Sequence, residues 1–156
     1  MLVDHAKVGA GAEGVGPAVL LEARALPPGG ARSARPLAQY LLGCPEGFAR
    51  MALEHRTRPG GGLRAVVLPA LTPVCAGGLA GLLLRLSSDG HAGVRVLGPP
   101  GCSAHVLALR HVARWAHPRT EVDAFELPTK GGPTLPGYED GLMAITPAVM
   151  HCSGAG

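Results

Sequence analysis

Four cysteines, Cys44, Cys75, Cys102 and Cys152, and seven histidines are the side chains of this sequence best suited to hold a metal or act as nucleophiles. Their spacing argues against most such uses. There is no C-x-x-C and the cysteines lie far apart, so neither a zinc knuckle nor a local dithiol is encoded. Cys102-x-x-His105 would have to meet His151-Cys152 from a distant element to make four ligands, a spacing that fits no structural finger. His105, His111 and His117 recur every six residues. Six helical steps turn about 240°, so on a helix they scatter around the axis. Arg110 and Arg114, at i and i+4, share a face with His117 and make a basic, solvated surface, with RNA contact as its functional alternative.

Two glycine-rich turns resemble nucleotide cradles. Gly9–Gly14, "GAGAEG", fits G-x-G-x-x-G, which needs a strand before it, a helix after it and an acid about 20 residues on. The strand before it is short, Ala18–Ala25 reads as strand or helix, and Glu22 comes too early. A tight turn is the better expectation. Gly98–His105, "GPPGCSAH", puts Ser103 and Ala104 where a P-loop requires Gly and the phosphate-binding Lys. It is expected to be a rigid strand-to-helix turn.

Ala65–Leu84, "AVVLPALTPVCAGGLAGLLL", is uncharged between Arg64 and Arg85 and long enough to cross a bilayer. Gly77-x-x-x-Gly81 even matches a packing motif of spanning helices. Pro69, Thr72, Pro73 and the glycines oppose that reading, and no aromatic belt flanks the segment. The alternative is a strand, a bend and a Leu-rich helix. A membrane anchor at Ala65–Leu84 is the second functional reading and a nucleotide-binding domain using Gly9–Gly14 the third.

The elements that must position these residues follow from the apolar pattern. The chain has 156 residues, which suits one domain. Apolar residues make up 47% and aromatics only 3%, so the core must be built of Leu, Val and Ala. Gly (24) and Pro (15) separate the apolar runs and imply a loop-rich domain. The net charge of +3 permits a nucleic-acid partner without demanding one. No basic-then-apolar leader opens the sequence, and a reduced, intracellular compartment is expected. "VDHAKVG", "QYLLGC", "LRAVVLP", "GVRVLG", "EVDAFEL" and "LMAITPAVMH" read as strands. Pro45 is expected to open a helix with Glu46 in its first turn and Phe48, Met51 and His55 on one face. "LAGLLLRLSSD" should be helical and stop at Gly90, and a further helix should begin at Ser103 as N-cap, with Val106, Leu109, Val112 and Ala116 in a stripe. Alternating strands and helices define an α/β fold.

At "YLLGCPEGFARMALEH", then "GGLAGLLLRLSSDG", "VRVLGPPG" and "YEDGLMAITPAVMH", the sequence resembles the amino-terminal half of long-form ribonuclease Z (tRNase Z). That family comprises tRNA 3′-processing endonucleases of metallo-β-lactamase fold. The agreement of block order and spacing covers roughly residues 3 to 152. Active members carry H-x-H-x-D-H before the Gly-Leu that starts the helix, a motif that holds two zinc ions to activate water. Counted back from Gly78-Leu79, the ligand places fall on Ala70, Thr72, Val74 and Cys75, and His151 falls where a later histidine ligand occurs.

The resemblance therefore implies a catalytically silent half with no cofactor of its own, zinc belonging to a catalytic half. It implies a partial metallo-β-lactamase-like αββα sandwich, mostly the first sheet and its outer helices. Residues 1–156 would form one incomplete domain, since the tRNA-gripping arm of related sequences follows the strand matching "AITPAVMH". The implied partners are precursor tRNA, weakly or indirectly, and a catalytic half or another copy covering the open face, with no membrane. Arg110, Arg114 and Arg119 are the candidates for RNA contact. Nucleus or mitochondrion is the location the resemblance suggests.

Overall fold

In the computed structural model the described residues are 2–9, 15–25, 36–57, 59–112, 121–127 and 137–146, with the backbone alone described over 2–9 and at 112. Six strands form one sheet in chain order: β1 (Leu2–Gly9), β2 (Ala18–Arg24), β3 (Ala38–Leu42), β4 (Leu63–Val67), β5 (Gly93–Gly98) and β6 (Glu121–Glu126). The first three pair antiparallel and β3 to β6 pair parallel. The ambiguous run Ala18–Ala25 is thus strand, because both of its neighbours supply ladder partners.

Each parallel step needs a crossover, and helices supply it: α1 (Phe48–Glu54), α2 (Pro73–Ala76) with α3 (Leu79–Ser88), and α4 (Cys102–Val112). They cover one face of the sheet. Leu79, Leu82, Leu83 and Leu86 recur at helical spacing along α3 and are all buried in the main core. Phe48 and Ala52 of α1 and Cys102 and Val106 of α4 join them over Leu20, Leu41, Leu63, Val66, Val94 and Val96 of the strands. Each such buried aliphatic side chain contributes about 1.5–3 kcal/mol before entropy is charged against it. Gly90, at φ 75°, ends the turn after α3 as the sequence predicts.

The opposite face carries a smaller cluster of Ala23, Ala38, Tyr40, Ala65 and Leu97, covered by Tyr138. Tyr138 belongs to a hairpin of β7 (Tyr138–Glu139) and β8 (Ala144–Ile145). β7 lies in what the sequence reads as a loop, and the expected strand 142–151 is represented by β8 alone, its remainder falling outside the described residues. So short a strand carries almost no periodicity to read.

Two helix starts differ from the sequence expectation. α1 begins at Phe48, not Pro45: Gly47, at φ 78°, is its N-cap, and Pro45 and Glu46 precede the helix. The left-handed backbone at Gly47 interrupts the helical path. At the other end His55 is the C-cap and exposed, so of the expected face Phe48 is buried and Met51 half-buried. α4 begins at Cys102, which places Ser103 inside the helix.

The apolar stretch Ala65–Leu84 is cut into the end of β4, a bend, α2 and part of α3, and among the described residues no helix is long and apolar enough to cross a membrane. The anchor reading loses its element: the window is apolar because it supplies a central strand and the core face of a helix.

Candidate functional site

Because β3, β4 and β5 run parallel, their C-terminal ends share one rim, the place where open α/β sheets collect ligands. Segments 43–47, 68–78 and 98–101 emerge there. The bend after β4 holds all four places that the ribonuclease Z resemblance assigns to metal ligands. Ala70 and Cys75 are half-buried, and Thr72 and Val74 are exposed. Thr72 is the N-cap of α2, yet its hydroxyl makes no cap bond, while its carbonyl accepts from the Cys75 and Ala76 N–H groups at 2.9 and 2.8 Å.

Backbone contacts hold this rim together. Cys44 N–H donates to Cys75 O at 2.7 Å, Gly78 N–H to Cys44 O at 2.9 Å and Glu46 N–H to Pro73 O at 3.4 Å. The chains approach so closely at Gly78 that a Cβ there would run into the Pro45 carbonyl oxygen. Glycine is required at that point for space, not for an unusual φ. A Cβ on Gly16 would lie 2.8 Å from Val74 Cγ1, so the Val74 side chain leans on the backbone that leads into β2.

The donor set of the bend does not fit a paired-zinc centre. Zinc is held by imidazole, thiolate or carboxylate, and two ions need such groups in number. A methyl, a hydroxyl, an isopropyl and one thiol stand here instead. Among the described residues no group of three or more His, Cys, Asp or Glu gathers as a metal site. Cys44, beside Cys75 through the backbone, is fully buried, and burial pushes its thiol pKa up to about 12. It is a core residue, not a ready thiolate.

The turn before α4 is occupied by the protein itself. Glu126 Oε1 accepts from the N–H groups of Gly101 at 3.0 Å and Ser103 at 3.3 Å. A carboxylate thus sits on the helix N-terminus, where a phosphate would sit in a P-loop. The Ser103 hydroxyl turns away to donate to Ala124 O at 3.4 Å, so Glu126 takes the capping part expected of Ser103. A strand residue 23 positions on can do this because β6 lies beside β5.

The densest polar constellation lies on the opposite face of the sheet, around Asp140. Its carboxylate accepts from Tyr138 Oη at 2.6 Å, Tyr40 Oη at 2.8 Å, Leu142 N at 2.8 Å and Met143 N at 2.9 Å. Arg64 adds an ion pair at 3.3 Å. A one-residue shift in the β3–β4 register makes that reach possible: Gln39 pairs with Leu63 but Tyr40 with Ala65, leaving Arg64 over. Burial pushes the Asp140 pKa up, but the hydrogen bonds from Tyr138, Leu142, Tyr40 and Met143 outweigh it and hold the carboxyl well below the usual range. Burial, then the Asp140 hydrogen bond, pushes Tyr138 up to about 12 and raises Tyr40 as well. The Tyr40 and Tyr138 rings meet edge-on at 6.3 Å, and the Arg95 guanidinium lies 5.6 Å from the Tyr138 ring centroid. Tyr40 of β3 and Arg64 of β4 reach the same carboxylate as Tyr138, Leu142 and Met143 of the hairpin, so the constellation fastens the hairpin to the sheet. It was missed in the sequence because its members come from β3, β4 and the 138–143 segment, and only "YEDG" hints at it.

Of the three arginines expected to contact RNA, only Arg110 is among the described residues. Arg110 donates from Nη2 to Val122 O at 2.9 Å, which ties one nitrogen of the expected RNA-facing arginine to the neighbouring strand. Arg114, Arg119 and His151 lie outside the described residues, as do His117, Cys152 and 10–14 of the Gly9–Gly14 turn. His105 is half-buried and His111 exposed on α4.

With this rim and this layering, the chain can be set beside known proteins. Over 73 residues, 47% of this chain, it is 36% identical to "Ribonuclease Z, mitochondrial" of Drosophila melanogaster. The solved structure of human tRNase Z, short form, superposes over 69% of this chain with a TM-score of 0.53 at 20% identity. The chain resembles ribonuclease Z. The likeness to the human tRNase Z structure is one of fold: the mostly parallel sheet flanked by helices is metallo-β-lactamase-like. The matched parts span 9% of the length of the fly ribonuclease Z and 43% of the human tRNase Z chain. No family model matches the chain.

Proposed function

We propose that this chain is the non-catalytic, amino-terminal part of a tRNA 3′-processing endoribonuclease, supporting tRNA 3′ trailer removal together with a metal-bearing catalytic half. The observation that carries the reading is the bend after β4. In a fold like that of tRNase Z, the places assigned to zinc ligands hold Ala70, Thr72, Val74 and Cys75. With no imidazole or carboxylate among them, this bend cannot assemble the two-ion centre that would activate water.

Zinc then belongs to the partner half, and precursor tRNA is the shared substrate. Arg114 and Arg119 remain candidate RNA contacts, and Arg110 contributes only through the nitrogens it does not spend on Val122. Exposed apolar side chains at the rim, Leu71 and Val74, suit a contact with the catalytic half or another copy better than a water-filled active site. Nuclear or mitochondrial residence goes with this role, the fly relative being named as mitochondrial.

The test is a cleavage assay on a precursor tRNA with zinc or manganese, using this chain alone, a metal-bearing ribonuclease Z half alone, and both together. Stimulation of the metal-bearing half, with none from this chain alone, is the expected result. Robust trailer removal by this chain alone would overturn the reading.

A further inference from the structure

We draw no further inference here: the strongest candidate, the roughly 300 Å3 cleft of Arg64, Arg95, Glu121, Asp123, Tyr138 and Asp140 on the sheet face opposite the helices, carries charges of both signs beside the exposed Phe125, and nothing in the structure shows what covers it.

Discussion

Tyr40 and Asp140 stand 100 residues apart in the chain and meet through a 2.8 Å hydrogen bond from the phenol to the carboxylate. Tyr40 is fully buried in β3, and Asp140 is the first residue of the turn that joins β7 to β8. The contact joins the second face of the sheet to the only element that covers it among the described residues.

Removing the carboxylate should therefore loosen the hairpin. D140A strands two phenol donors and the Leu142 and Met143 N–H groups, and about 2–3 kcal/mol of stability should be lost. Y40F removes one donor of several and should cost about 1 kcal/mol. Urea unfolding of both variants measures this. Equal, negligible losses would show that the constellation does not fasten the hairpin.

The same group sets the pH response. The Asp140 pKa is lowered by folding, so its contribution is complete above the ordinary carboxylate value of about 3.9 and is lost as pH falls through the lower folded value. Tyr138 behaves oppositely: raised to about 12, it contributes fully below the ordinary tyrosine value and loses that contribution as pH climbs towards 12. Stability curves against pH for wild type, D140N and Y138F should show a weaker acid limb in D140N and a weaker alkaline limb in Y138F.

Two glycines near α3 should respond in opposite ways to alanine. At Gly78 the new methyl meets the Pro45 carbonyl, so G78A should destabilise by about 3 kcal/mol or prevent folding. Gly81 is inside α3 with open space around it, so G81A should stabilise by up to about 1 kcal/mol. Thermal melts of the pair distinguish crowding from helix propensity.

Thiol reactivity should follow burial. Cys44 and Cys102 are fully buried with pKa values raised, Cys44 by burial alone and Cys102 by burial and then the Glu126 charge, whereas Cys75 is only half-buried at the rim. In the native chain a maleimide, mapped by peptide mass spectrometry, should label Cys75 before Cys44 and Cys102. Labelling of Cys44 at the same rate would mean that the rim opens readily.

At the bend the described residues offer one thiol and no imidazole or carboxylate, so zinc should act alike on the melting temperatures of the wild type and C75A. Differential scanning calorimetry across a zinc titration checks this. A rise that tracks the metal and vanishes in C75A would place a bound ion at the bend.

Much of this protein is written locally. The buried strands β4 and β5, the Leu stripe of α3, its stop at Gly90 and the lack of His or Asp at the places before Gly78-Leu79 need only neighbouring residues to be read. Apolar periodicity and side-chain chemistry are properties of short windows. What neighbours cannot encode is which distant groups meet. That Ala18–Arg24 is strand was decided by its two ladder partners, that Ser103 yields its capping role to Glu126 by the pairing of β5 with β6, and that Arg64 reaches Asp140 by a one-residue register shift. Such hydrogen bonds and charges act over a few ångströms of space, whatever the distance along the chain, so only the folded sheet could bring their partners together.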